Sequence, residues 1–461
     1  MELGIDVHAV LRRAVRNGAE YADLFIEDSS PLTIVCEDNR LEKVLSGREY
    51  GAGLRILSGG RTAYAYTNEL TTASLLELAD AVGAAAARQG APAVIGPFAV
   101  RRGGEGLVRR PPELTAVDAK AQLVLRANRI ARSFDPRIRQ ALVTYREQRQ
   151  QVVIVNSDGC WCEDDRRYLT ALVHVVAEQG GVVQTGYQSV GGLTGLELFE
   201  SEPLEAAAAE AAQRAVMMLG ARKAPAGRMP VVLSSEAGGT MIHEAVGHGL
   251  EADLAQSGLS VYSGKLGLQI ASPLVTVLDD STLARRRGSF RFDDEGTDAQ
   301  KTVLVDRGVL KTYLYDRLTA RKDGVRSTGN GRRESYRHRP IPRMTNTMIA
   351  PGGAKPADIL KETPKGLFVR KMGGGQVNTV NGEFVFEVSE GYLIENGALG
   401  EPVRGATLIG NGPSVLMSID RVGSDLGFSI GTCGKYGQGA PVADAQPTLR
   451  IPEITVGGEV A

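Results

Sequence analysis

The sequence predicts an α+β protein: two small N-terminal segments, each a helix-plus-antiparallel-sheet unit, followed by a β-rich C-terminal metal-binding domain. Helical and strand-like periodicities alternate up to about residue 222, whereas from Met229 onward short β-runs and glycine dominate. Two of the chain's five histidines fall within six residues of this last region. With 461 residues and 43% hydrophobic content the chain can bury a core divided among two or three domains. The expected divisions are 1–90, 113–222 and 228–461.

The first segment opens on helical spacing at Val7, Leu11 and Val15, continued by Tyr21, Leu24 and Phe25. β-like runs follow at Leu32–Cys36, Gly53–Leu57 and Thr62–Thr67, the last two joined by the turn Ser58-Gly59-Gly60-Arg61. Alanine and leucine predict a helix over Thr72–Arg88, and the Gly/Pro-rich stretch 89–112 reads as a boundary. The second segment repeats the order loosely: helix Val117–Ser133, strands Ile138–Arg146, Gln151–Asn156, Tyr168–Glu178 and Val182–Ser189, helix Pro203–Leu219. No residue-level repeat accompanies this similarity. Lys223–Gly227 marks the next boundary.

In the third segment strands are expected at Val231–Ser234, Leu274–Leu278, Thr302–Val305, Leu310–Tyr315, Phe368–Lys371, Phe384–Val388, Thr407–Ile409 and Val415–Ile419. Asp306-Arg307-Gly308 and Asn381-Gly382 are hairpin signals. This segment is the expected catalytic domain.

A formal net charge of −1 gives no general attraction to nucleic acid or anionic lipid. Arg285-Arg286-Arg287 lacks the interleaved aromatics of a nucleic-acid site. The start, Met1-Glu2-Leu3-Gly4-Ile5-Asp6, carries acids where a secretory signal carries bases, and no apolar run approaches a membrane span, so cytoplasmic placement is expected. Four cysteines in so long a chain do not make a disulfide framework. Cys160 and Cys162 flank Trp161 on one face of a strand-like stretch, where core packing is the default over metal binding. Cys36 reads the same way.

The chemistry concentrates in His243-Glu244-Ala245-Val246-Gly247-His248. The usual helical zinc signature separates its histidines by four residues, about 40° around the helix, whereas five residues is about 140°. The two rings converge on one metal only if the backbone leaves the regular helix, through a π-bulge or an early stop, and Gly247 lies where distortion is cheapest. The alternative is a helix with one capping and one surface histidine. A catalytic zinc normally takes three protein ligands. His8 and His174 lie in the other segments, His174 between apolar neighbours, and His338 is flanked by arginines that repel a cation. Cys433, on a glycine-bracketed loop beside Lys435, remains, and its chemistry alone leaves it either a ligand or a free thiol whose thiolate the lysine favours. With this site, Glu244 would accept the proton of a metal-activated water that attacks a peptide carbonyl.

Six motifs in order give the third segment a resemblance to the TldD/PmbA metalloproteases: His243–Asp253, Asp293-Asp294-Glu295-Gly296, Gly329–Ser335, Pro342–Thr347, Gly373–Asn378 and Cys433-Gly434-Lys435. Gly18–Asp23 extends it toward the N-terminus. The intact metal motif resembles the TldD-like branch, whereas PmbA-like (TldE) partners lack it. The resemblance implies zinc bound by His243, His248 and Cys433, Glu244 as general base, and pairing with a PmbA/TldE-like subunit or else a homodimer. It also implies short or unfolded peptides as substrates.

Gly373–Gln376 either admits a peptide backbone as an added strand or serves turns and bulges. Arg332, Arg333, Arg337, Arg339 and Arg343 hold substrate carboxylate or carbonyls, form a subunit interface, or make a solvated or salt-bridged face, the last being the default. The rival functions are a peptide-binding or partner-stabilising subunit with a structural metal, and a regulator of nucleic-acid enzymes, which the charge balance does not support.

Overall fold

The computed structural model describes residues 4–86, 91–103 and 108–459. Its first helix, Val7–Val15, is capped by the Asp6 carboxylate, which accepts from Ala9 N–H, and buries Val7, Val10, Leu11, Ala14 and Val15. Gly18, at φ 98°, follows the helix end, so Tyr21, Leu24 and Phe25 are not its continuation but the start of strand β1 (Tyr21–Glu37). Every residue from Tyr21 to Glu27 is buried, and a strand covered on both faces loses the alternation that would have identified it.

Seven further strands, β2 (Arg40–Ser46), β3 (Glu49–Ser58), β4 (Arg61–Thr67), β5 (Ala99–Arg102), β6 (Ile138–Asn156), β7 (Cys160–Gln179) and β8 (Val182–Leu193), complete one sheet. Its order is β4-β3-β1-β6-β7-β5, with β2 on β1 and β8 on β7. Both N-terminal segments therefore share a sheet, joined where β1 and β6 pair antiparallel from Asp23↔Asn156 to Glu37↔Leu142. Helices Val7–Val15 and Thr72–Gly83 cover one part, helices Val117–Ser133 and Leu204–Leu219 another. Residues 87 and 88 of the expected second helix, and residues 89, 90 and 104–107 of the expected boundary after it, lie outside the described residues.

Strands β6 and β7 run unbroken across polar stretches expected to interrupt them. Those side chains are paired rather than solvated: Lys120 Nζ donates to Glu147 (2.7 Å) and Gln150 Nε2 to Glu27 (2.7 Å). A buried polar residue with its partner in place is compatible with an interior strand.

In the C-terminal part, strands Lys365–Val377, Gly227–Leu233, Leu449–Gly457, Thr407–Asn411 and Glu383–Glu395 pair in that order. Lys365–Val377 also pairs with Glu383–Glu395, so the five close on themselves. A six-stranded sheet lies beside them, in the order Val309–Leu310, Lys301–Asp306, Val277–Asp280, Asn346–Ile349, Gln438–Gln446, Gly427–Lys435. The expected strands at Leu274–Leu278 and Leu310–Tyr315 are thus shorter and shifted. The hairpin at Asp306–Gly308 forms with Arg307 and Gly308 both at positive φ. Val415–Ile419 is not a strand: Asn411 caps a helix over Gly412–Ser418 that carries Pro413 in its first turn.

Buried ion pairs seat the N-terminal sheet on this domain. The Arg55 guanidinium, 1% exposed, bonds Asp23 and Glu295 (2.6 Å). Arg166 Nη1 donates to Asp294 (2.7 Å), and Arg333 Nη2 donates to the Asp294 carbonyl (2.9 Å) and to Asp23 (3.3 Å). The Asp293–Gly296 motif is therefore structural mortar between domains. The expected solvated face of arginines holds only for Arg337 and Arg339, because Arg332, Arg333 and Arg343 are buried. Their partners come from distant segments, which local sequence cannot reveal. No helix among the described residues is long and apolar enough to cross a membrane.

Candidate metal centre

The His-Glu-x-x-x-His stretch begins on a short helical turn, Thr240–Ile242, entered through Gly238 and Gly239. A Cβ on Gly239 would stand 2.3 Å from the backbone nitrogen of Ala445, so only glycine lets this turn dock on strand Gln438–Gln446. His243–Gly247 then forms a π-helical turn, followed by a 3₁₀ turn at His248–Leu250. The distorted helix expected from the spacing is present, and its hydrogen bond runs from His248 N–H to the His243 carbonyl. The two histidines sit one π-turn apart and so face the same side. The Ala245 carbonyl within this turn accepts from the Tyr262 hydroxyl (2.9 Å).

Gly247 plays a different part from the one expected. Its φ of −52° and ψ of −56° are ordinary helical values that any residue adopts. What excludes a side chain is space, since a Cβ there would meet Met344 Sδ at 1.9 Å.

Cys433 lies on strand Gly427–Lys435, at the edge of the six-stranded sheet, opposite Ala440. It is not on a loop: the glycines around it pair in a hairpin whose turn, Tyr436-Gly437, has positive φ at both residues. One ligand atom from each of His243, His248 and Cys433 lies within 4.8 Å of the others, and His248 Nε2 is 3.4 Å from Cys433 Sγ. These separations approach those between donors of one tetrahedral ion with bonds of about 2.0–2.3 Å.

Both rings are oriented through their other nitrogen. His243 Nδ1 meets Asp444 (2.7 Å) on the strand beside Cys433, and His248 Nδ1 meets Glu251 (3.0 Å), leaving each Nε2 for a metal. Lys435 does not stabilise the thiolate as expected; its Nζ bonds Asp253 (2.6 Å) and Glu251 (3.1 Å). Burial raises the Cys433 thiol, but bonds from the two imidazoles outweigh it and bring the group to about 5. Burial likewise opposes charge on His248, yet Glu251 and the thiolate raise it to about 10. Without metal the site is a thiolate held between imidazolium rings.

Sequence reasoning missed Asp444 entirely and Glu251 as an orienting group. A histidine implies some partner for its second nitrogen, but nothing in spacing points 201 residues ahead. Asp444→Asn is expected to keep the fold and weaken zinc binding roughly 10–100-fold. Competition against a chromophoric chelator measures this, and unchanged affinity would remove the orienting role.

Glu244 lies one residue beyond His243, half-buried, with no ion pair or hydrogen bond to its carboxylate among the described residues. Burial raises its pKa above the ordinary carboxylate value. His243, Glu244, His248 and Cys433 together line a cavity of about 1180 Å³. Its other walls include β8, helix Leu204–Leu219 and the Lys371–Gly374 stretch. His174 borders this cavity but is not in the ligand cluster; His8 stacks on Phe98 and His338 bonds Ser335.

Family models for the PmbA/TldA metallopeptidase match along the chain: domain 1 at 22–86, the central domain at 110–219 and the C-terminal domain at 226–458. A Haemophilus influenzae protein named metalloprotease TldD homolog is 40% identical over 95% of this chain and 93% of its own length. Among solved structures, a Thermotoga maritima protein described as a candidate modulator of a DNA gyrase superposes with TM-score 0.80 at 22% identity, covering 98% of this chain and 99% of that one. TldE from Thermococcus kodakarensis superposes with TM-score 0.74 at 18% identity, covering 98% and 99%. Matched along its length by all three domain models and by a close relative, the chain belongs to the TldD/PmbA metallopeptidase family.

Proposed function

We propose that this chain is a cytoplasmic zinc-dependent peptidase acting on short or unfolded peptides, with His243, His248 and Cys433 as ligands and Glu244 as general base. The observation that carries the reading is the convergence of two imidazoles and a thiolate on the wall of a cavity that also receives a partnerless carboxylate. Two nitrogen donors and one sulfur suit zinc and not magnesium or calcium, and three protein ligands leave a position open. When bound there, zinc acidifies a water and polarises a carbonyl. Glu244, made more basic by burial, takes the proton and returns it to the leaving amine. Asp444 and Glu251 keep both imidazoles in the tautomer that presents Nε2.

A cavity of about 1180 Å³ admits a peptide segment and not a folded domain. Gly373 and Gly374 on its wall leave backbone uncovered on a strand with register irregularities, which supports recognition of an extended peptide backbone. The likeness to TldE supports pairing with a PmbA/TldE-like subunit, with a homodimer as the other arrangement. No nucleic-acid or membrane role enters this reading.

The test is cleavage of a disordered polypeptide by the purified chain, alone and mixed with a PmbA-like subunit. Chelation is expected to abolish cleavage and added zinc to restore it. Zinc and peptide binding without cleavage in either mixture would favour a peptide-binding subunit with a structural metal.

A further inference from the structure

The thiols of Cys160 and Cys162 have no part in the metal centre, yet their setting is more specific than packing requires. Two residues apart on β7, both point to the face that meets the C-terminal domain, with their sulfurs 2.9 Å from each other. Arg101, on the parallel neighbour β5, brings Nη2 to 3.1 Å from each sulfur. The same nitrogen donates to the Gly296 carbonyl (2.6 Å), and Nη1 donates to Asp298 (2.7 Å). Gly296, at φ 80°, directly follows the interdomain residue Glu295, and a Cβ there would meet Cys160 Sγ at 2.8 Å. A pair of thiols that only fills space needs no guanidinium nitrogen 3.1 Å from both sulfurs, and that cation also disfavours a metal between them.

We propose that Cys160 and Cys162 form a reversible dithiol–disulfide site, oxidised by small-molecule disulfides, at the seam between the N-terminal sheet and the C-terminal domain. The two sulfurs are chemically unequal. Cys160 is half-buried, and the Cys162 S–H together with Arg101 pulls its pKa down; Cys162 is fully buried, and the neighbouring thiolate with burial pushes its pKa up. Cys160 is thus the attacking thiolate and Cys162 the resolving thiol.

Cys160 Sγ attacks one sulfur of the oxidant, forming a mixed disulfide and expelling one thiolate. Cys162 then passes its proton to the expelled thiolate and attacks Cys160 Sγ, expelling the second thiolate, which takes a proton from water. The two protein sulfurs lose two electrons, and the oxidant leaves as two thiols. Positions two apart in a strand are about 6.6 Å apart at Cα, near the upper end of disulfide spans of about 6.8 Å, and their Cβ atoms must close toward about 4 Å, so the bridge bends the strand locally. A bridge so stretched is readily reduced, which makes the site reversible.

Incubating the folded, zinc-loaded full chain with oxidised glutathione, then alkylating and digesting it, reads the outcome by mass. The peptide holding residues 160–162 is expected to escape alkylation, at about 2 Da below the unalkylated dithiol, and to take two alkyl groups when dithiothreitol precedes the alkylation. Cys162→Ser should stop at a glutathione adduct on Cys160, Cys160→Ser should leave Cys162 unmodified, and Arg101→Met should slow adduct formation about tenfold. A wild-type peptide that stays a dithiol in the folded chain, or oxidises only in denaturant, overturns the proposal without reference to any variant.

Discussion

Glu244→Gln is expected to lower peptide cleavage by about 10²–10⁴-fold while leaving bound zinc unchanged. The substitution is nearly isosteric and removes only the ability to take a proton. Among the described residues no hydrogen bond or ion pair to this carboxylate is present, so the fold is expected to tolerate the change. The proposed ligand atoms belong to other residues, whose rings meet Asp444 and Glu251 through their second nitrogens. Paired measurements of zinc content by atomic spectroscopy and of cleavage rate on one disordered substrate check both halves. Full zinc with undiminished cleavage would assign the base elsewhere.

Removing Cys433 should act on the metal first. Cys433→Ala is expected to weaken zinc binding by more than about 100-fold, beyond the usual effect of losing an orienting group. Zinc content that survives dialysis at the wild-type level would remove Cys433 from the site.

The pH behaviour adds an independent reading. In the metal-free protein the thiol titrates near 5 and His248 near 10, so at neutral pH metal binding must expel protons from the imidazoles and none from the cysteine. Zinc affinity should therefore rise with pH through neutrality. The stability of the metal-free site has the opposite signs on its two members. The depressed thiol contributes stability above its unfolded value of about 8.5, lost as pH falls through about 5; the raised His248 contributes below about 6.5, lost as pH rises through about 10. In Cys433→Ala the imidazoles lose the thiolate that raises them, so fewer protons leave on binding. Calorimetry in buffers of different ionisation enthalpy counts them.

The legibility of the fold varied with how local its causes are. The helix over Val7–Val15 and the Arg307-Gly308 hairpin follow from residues within one turn of each other; the hairpin appears where expected, and the helix does so up to its end before Gly18. Strand β1 was hidden from Tyr21 to Phe25 because burial on both faces removes alternation. The polar crossings of β6 became strand only because Lys120 and Glu27 arrive from elsewhere. For the same reason Arg333 and Arg343 read as surface cations although they are buried struts.

The sequence by itself tied a shared metal at His243 and His248 to a departure from regular helix, since five residues cannot bring two rings together on 3.6-residue turns, and it marked Glu244 as the carboxylate beside a candidate ligand. It also carried the family, through six motifs that keep their order. Only the tertiary structure decided which residues complete the centre. Cys433 reaches the histidines because its strand pairs with Gln438–Gln446, and that strand carries Asp444 beneath His243. Gly247 is required by Met344 rather than by backbone freedom. The candidate ligands and the groups that orient them meet through sheet register and close packing, both set by chain segments far apart in sequence.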